Sequence, residues 1–121
     1  MQATFKLFKA LSDETRLRIV NLLLERECCV CEVMQAMKIS QTRASRGLTT
    51  LYNTGILKAR RDGLWVLYSI DAEGIEGSYD CLVQIIRSTL KGNEVADVDR
   101  ERLKSAVRES PCTERANLLN R

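Results

Sequence analysis

The stretch VCEVMQAMKISQTRASRGLTTLYNTGILKARRDGLWVLYSI, residues 30–70, decides the fold. In its first part Val30, Val33, Met34 and Met37 recur at helical spacing, and the pattern stops near Lys38. Ser40 then offers a cap for a second helix over about 41–53, which Gly55 ends. On that helix Ala44, Leu48, Leu51 and Tyr52 fall on one side and predict a buried stripe. Thr42, Arg43, Ser45, Arg46, Thr49 and Thr50 take the remaining surface. A short helix, a tight connection and a helix with an apolar back and an Arg/Ser/Thr front make a helix-turn-helix. Gly47 is discordant, since glycine inside a helix costs about 1 kcal/mol relative to alanine. Residues 56–60 and 64–70 read as two strands around Arg61-Asp62-Gly63, because Asp-Gly is a strong hairpin signal. A basic-tipped hairpin directly after such a helix predicts a wing. The expected fold is therefore mainly α with a small β-hairpin: a winged helix-turn-helix.

Toward the N-terminus, Phe5, Phe8 and Leu11, with Leu7 beside them, predict a helix over about 3–11. Ser12 is the expected cap of the next helix, about 13–25, with Asp13 and Glu14 in its first turn. Its wide stripe of Leu17, Ile19, Val20, Leu22, Leu23 and Leu24 places it at the centre of the core. Toward the C-terminus, Tyr79, Leu82, Val83, Ile86 and Leu90 mark an amphipathic helix ending near Gly92. That stripe is too long for so small a domain to bury alone. Together with Phe5 and Phe8 it predicts a homodimer formed through the N- and C-terminal helices. Residues 1–92 are thus expected to form a winged-helix DNA-binding and dimerisation domain. Residues 93–121 read as a charged C-terminal extension, with one short helix near 98–109 and a tail after Pro111.

A chain of 121 residues fits one domain, and its composition removes whole classes of chemistry. There is no histidine, which excludes Ser-His-Asp and Cys-His catalysis, His-ligated zinc and histidine pH switching. No apolar run approaches a membrane span, and MQATFKLFK lacks the apolar stretch of a signal peptide, so a cytoplasmic protein with no membrane partner is expected. The net charge of +3 is unevenly spread: residues 1–70 carry eleven Lys/Arg against six Asp/Glu, residues 71–121 eight against ten. Between 38 and 61 there are six basic residues and no acidic one, a surface suited to phosphate. A helix laid in the major groove reads bases with its projecting side chains. Gln41, Thr42, Arg43, Ser45, Arg46 and Thr49 are the candidates here, with Arg60 and Arg61 at the wing for the DNA backbone or minor groove.

The five cysteines are Cys28, Cys29, Cys31, Cys81 and Cys112, and three of them fall within four residues. In a reducing compartment that cluster reads as a soft-metal or redox site rather than a disulfide scaffold. Residues two apart on a regular helix do not face each other. Chelation by Cys29 and Cys31 is therefore expected to distort the first turn of the helix that supports the reading helix, which would couple ligand and DNA reciprocally. Cys28 and Cys31, three apart, are a rival pair. Cys81 falls within an apolar stripe and reads as core, and Cys112 as a further ligand or an exposed thiol. Cys28-x-x-Cys31 is formally an oxidoreductase motif, but the βαβ context it needs is missing, and no enzyme is expected.

LSDETRLRIVNLLL (11–24), CVCEVMQAM (29–37), SQTRASRGLTTLYNTGIL (40–57) and RRDGLWVLYSI (60–70) resemble the ArsR/SmtB winged-helix metalloregulators, in particular the arsenic-responsive repressors. The likeness spans about 3–90. It implies a homodimer that binds double-stranded operator DNA, represses metalloid-resistance genes, and is released when As(III) or Sb(III) binds cysteine thiolates. By motif it implies Cys29 and Cys31 as ligands and Gln41, Thr42, Ser45 and Arg46 as reading positions. Some members carry a third cysteine where this chain has Met34. A third ligand must then be Cys28, the first choice, or Cys112, or an exogenous thiol. Thr42 and Gly47 replace a proline and a histidine common in the reading helix, so operator preference is expected to differ. A sensor site of C-terminal histidines is ruled out by composition. Cadmium or lead sensing and thiol-redox sensing are the alternatives on the same fold. No cysteine precedes Cys28, which disfavours the version that borrows ligands from an N-terminal arm.

Overall fold

The computed structural model describes residues 1–73 and 79–109. Helix α1 spans Gln2–Leu11 and α2 spans Glu14–Leu23. The cap of α2 is Asp13 rather than Ser12: its carboxylate accepts the Arg16 amide at 2.9 Å, while the Ser12 hydroxyl turns back to the Lys9 carbonyl. Ile19, Val20, Leu22 and Leu23 of α2 are buried, so this helix is the central post of the core, as its wide stripe predicts. Each such side chain contributes about 1.5–3 kcal/mol by leaving water.

Helix α3, Val30–Met37, ends at Lys38 in the left-handed region (φ 53°), and α4, Gln41–Asn53, starts three residues later. These are the two helices of the helix-turn-helix. The buried side of α4 is Ala44, Gly47, Leu48 and Leu51, whereas Tyr52, expected in the stripe, is about half exposed. Gly47 takes its place for a steric reason. A Cβ there would lie 2.6 Å from Ile19 Cδ1, so any side chain at this position would force the buried Ile19 to move. The propensity cost of that glycine is offset by packing.

Strands β1, Leu57–Asp62, and β2, Trp65–Ile70, pair antiparallel, with Asp62 opposite Trp65 and Leu57 opposite Ile70. Gly63 (φ 66°) opens the two-residue loop, the arrangement that suits a twisted hairpin. Cys28 forms an isolated bridge with Tyr68 (N···O 3.0 and 2.8 Å), so the segment before α3 is stitched to the outer side of β2.

Helix α5, Tyr79–Leu90, turns Ile86 into the core, with Leu82 and Leu90 packed beside it. Helix α6, Glu94–Ser105, begins on Asn93, whose side chain accepts the Ala96 amide. The charged extension expected from the sequence is, over these residues, part of the core: Ala96, Asp99 and Leu103 are buried. Asp99 receives Arg18 Nε and Nη2 at 2.8 and 2.9 Å, which satisfies a carboxylate that could not otherwise be buried. Among the described residues no helix is long and apolar enough to cross a membrane.

Candidate functional site

Helix α4 presents Thr42, Arg43, Arg46 and Thr49 to solvent, with Gln41 and Ser45 half-buried at their base. Ser40 accepts the Arg43 amide at 3.2 Å and fixes the helix start. The Arg43 guanidinium reaches the Thr15 hydroxyl at 2.8 Å, which ties the front of α4 to α2. Gln41 Oε1 is buried without a hydrogen bond among the described residues. On the hairpin, Lys58, Arg60 and Arg61 are exposed, within β1 rather than at the loop. Arg60 is engaged by Glu27 (Nε···Oε2 3.0 Å), and its guanidinium holds the Glu27 carboxyl below the usual carboxylate range.

Cys29 and Cys31 converge. Cys29 is the N-cap of α3, with extended backbone (φ −88°, ψ 172°), and Cys31 sits in the first turn. Their sulfurs are 2.7 Å apart, and both residues are buried. The expectation that two cysteines at this spacing must unwind a regular turn to meet is thereby corrected. A capping residue is not on the regular helix, and its side chain swings over the turn that follows. Glu32 completes a capping box: it accepts the Cys29 amide at 3.0 Å, and its own amide faces the Cys29 sulfur. The Glu32 carboxylate is itself held by Arg26 at 2.6 Å. Sharing a hydrogen with Cys31, and burial after that, push the Cys29 thiol above its ordinary range.

Cys28 is not brought to this pair. It packs in the main core, with Sγ on the Arg26 carbonyl at 3.4 Å, and burial pushes its thiol up to about 12. Cys29 and Cys31 cluster instead with Leu67 and Trp65 of β2. Among the described residues no group of three His, Cys, Asp or Glu side chains is placed to hold one ion. Cys81, expected in the core, is exposed on α5, one position off the inward stripe. Cys112 lies outside the described residues.

A short strap of residues 106–109 crosses the cysteine pair. The Glu109 amide donates to Cys31 Sγ at 3.4 Å, and the Trp65 indole N–H donates to the Glu109 carbonyl at 2.8 Å. Gln35 and Val107 exchange two hydrogen bonds, 2.6 and 3.1 Å. Arg108 pairs with Asp62 at 2.7 Å and lies over the Trp65 ring. The cysteine pair thus touches the wing on one side and α3 on the other. Sequence reading missed Glu32, Arg26, Trp65 and the strap. Only Glu32 had a readable signal, since Cys29-x-x-Glu32 has the spacing of a capping box.

Of the residues expected at a subunit interface, Phe5 and Phe8 are 65% and 60% exposed on α1. Ile86 instead fills the core of its own chain, and Leu82 and Val83 are half-buried; Ile85, at 60%, is the exposed apolar residue of α5. The Tyr79 side chain lies outside the described set.

Residues 13–59 match the family described as bacterial regulatory protein, arsR family. The chain is 47% identical over 72 residues to the cadmium resistance transcriptional regulatory protein CadC homolog of Staphylococcus aureus, covering 59% of this chain and 60% of that one. It is 40% identical over 95 residues to the arsenic resistance transcriptional regulator ArsR1 of Pseudomonas putida, covering 78% and 66%. The chain therefore spans about 60–66% of the length of these curated relatives. Among solved structures it is similar to the homodimeric winged helix-turn-helix DNA-binding domain of Mb0332 from Mycobacterium bovis, a possible ArsR-family transcriptional regulator. That match has 31% identity, a TM-score of 0.61 and covers 72% and 80% of the two chains. Sequence likeness over the helix-turn-helix and structural likeness over most of both chains agree: the chain belongs to the ArsR family of winged helix-turn-helix regulatory proteins.

Proposed function

We propose that this chain is a homodimeric transcriptional repressor of metalloid-resistance genes that leaves its operator when trivalent arsenic or antimony binds Cys29 and Cys31. The observation that carries this reading is the convergence of two buried sulfurs, 2.7 Å apart, at the start of the helix that precedes α4. Soft thiolates select soft ions. Bonds from one ion to both sulfurs would take up the Cys29 side chain that caps α3 and would bear on Trp65 and Leu67 of the wing, which pack against the pair. In this reading α4 enters the major groove of double-stranded DNA with Thr42, Arg43, Arg46 and Thr49, and Arg60 and Arg61 meet the backbone. The exposed Phe5, Phe8 and Ile85 are the apolar surface that a second copy would cover. The role is regulatory, not enzymatic.

A cadmium- or lead-sensing repressor is the second reading, favoured by the similarity to the CadC homolog. The two differ in proton balance. Arsenite enters as neutral As(OH)₃ and each thiol proton leaves in water, whereas a divalent cation must expel protons from a buried site and so binds more tightly as pH rises. The test is fluorescence anisotropy of a labelled operator duplex with reduced protein at fixed salt, because phosphate contacts make affinity salt-dependent. Arsenite, cadmium and hydrogen peroxide are titrated in turn at two pH values. Release by arsenite at the lowest concentration and with little pH dependence is expected. Cys29→Ser is expected to bind the duplex and stay bound. Normal release of that variant, or release by cadmium or peroxide alone, would overturn the metalloid reading.

A further inference from the structure

We propose that residues 106–109 are a lid over Cys29 and Cys31, and that a ligand reaches the pair only when this strap lifts away from α3 and the wing. The inference rests on the reading given above in one respect, that the pair is where a ligand arrives. The lid itself follows from how the strap is held.

Cys29 and Cys31 are only 1% and 3% exposed. Trp65 and Leu67 of β2 pack against them, and the Glu109 amide lies on Cys31 Sγ at 3.4 Å. With so little sulfur open to solvent, some neighbour has to move before any reagent can bond to it. Helix α3 is a poor candidate, because Val33, Ala36 and Met37 anchor it in the core. Strand β2 is another, since it is paired with β1 on one edge and bridged to Cys28 on the other.

The strap, by contrast, is held without a core. Val107 is 63% exposed, and none of Ala106, Arg108 and Glu109 is fully buried. Its ties are polar, and those to Gln35 and Asp62 are open to water. Contacts of that kind are each worth little net, so the strap opens far more often than the core beneath it. The hinge is where α6 ends: Ala106 is extended (φ −70°, ψ 138°), three residues past the buried Leu103. Arg26 holds the Leu103 and Ala106 carbonyls at 3.1 and 3.4 Å, so lifting begins beyond them and leaves α6 in place. Two of the ties end on the wing, at Asp62 and Trp65, which form the ladder pair next to the hairpin loop. Access to the sulfurs and the anchoring of the wing tip therefore change together.

The experiment treats the full reduced chain with iodoacetamide at fixed pH and follows Cys28, Cys29 and Cys31 separately by peptide mass mapping. Gln35→Ala combined with Arg108→Ala removes the exposed ties and touches neither sulfur. Alkylation of Cys29 and Cys31 is expected to quicken about ten-fold, whereas Cys28, packed in the main core, keeps its rate. Loss of the Arg108 charge alone would disfavour thiolate and slow the reaction, so a faster rate reports access. Lys104→Ala, which breaks a surface pair with Glu101 on α6, is expected to leave all three rates alone. Trp65, the single tryptophan, packs against the pair, and its fluorescence change on adding arsenite should set in faster in the double variant by the same factor. Unchanged rates at Cys29 and Cys31 would overturn the lid, as would a parallel rise at Cys28, the mark of general loosening. Arsenite association at one rate in both proteins would overturn it too. Faster alkylation with no arsenite retained by either protein in equilibrium dialysis would uphold the lid and overturn the sensor reading instead.

Discussion

Both helices of the helix-turn-helix begin in nearly the same backbone conformation, an extended capping residue, and differ in the atom that closes the cap. At α4 it is the Ser40 oxygen, exposed, accepting the Arg43 amide at 3.2 Å and needing no other partner. At α3 it is the Cys29 sulfur, a weak acceptor, backed by the buried Glu32 carboxylate that Arg26 holds in turn. The helix that would read DNA therefore has a self-sufficient start. The helix that supports it has a start that depends on a carboxylate, a guanidinium and a sulfur with a second use. On the reading proposed above, a ligand on Cys29 would act on the weaker cap and leave the stronger one untouched, with one tight turn, at Lys38, between the two.

The comparison breaks most readily at Glu32. Glu32→Ala leaves the buried Cys29 amide without its acceptor and takes one partner from Arg26, which keeps the Glu27, Leu103 and Ala106 carbonyls, and a loss of about 2 kcal/mol in urea unfolding is expected. A loss under half that size would mean that α3 is held by packing and its cap is incidental. Ser40→Ala should cost less, about 1 kcal/mol, and should also weaken operator binding, because it loosens α4 alone. An effect on arsenite response without an effect on DNA would reverse the roles assigned to the two starts. Cys29→Ser sharpens the contrast most finely. An oxygen is the better cap, so stability should hold or rise by roughly half a kcal/mol even as the metalloid response is lost. A marked loss of stability would mean that burial of the sulfur, not its capping, is what the site requires.

The reading helix was legible because its signals are local. Ser40, the Ala44/Leu48/Leu51 stripe and the basic, acid-free stretch around it all act within a few residues. The hairpin was legible for the same reason, through Asp62-Gly63. Gly47 looked like a flaw because its reason, Ile19 on another helix, is not local. The cysteine motif was legible as chemistry but not as geometry. Capping preferences are learned from oxygen side chains, and nothing in the spacing says that Cys29 leaves the helix while Cys31 stays on it. On α5 the apolar stripe of Leu82, Ile86 and Leu90 was legible but its destination was not: Ile86 is buried in its own chain, and the apolar residue left outside is Ile85. The strap had no signal at all. Ala106, Val107, Arg108 and Glu109 show no periodicity, and their partners Gln35, Asp62 and Trp65 lie more than forty residues away in sequence.

The bridge between Cys28 and Tyr68 has a consequence for solubility. A two-stranded hairpin offers two open rows of backbone donors and acceptors, each able to recruit another chain. Cys28 occupies part of the row on β2, so that among the described residues the outer row of β1 is the one left without a strand partner. That strand carries Lys58 and Arg61, both exposed, with Arg60 between them held by Glu27. A second hairpin approaching edge to edge would have to bring like charges together. The cations proposed to meet phosphate would therefore also keep the wing from seeding strand-to-strand association.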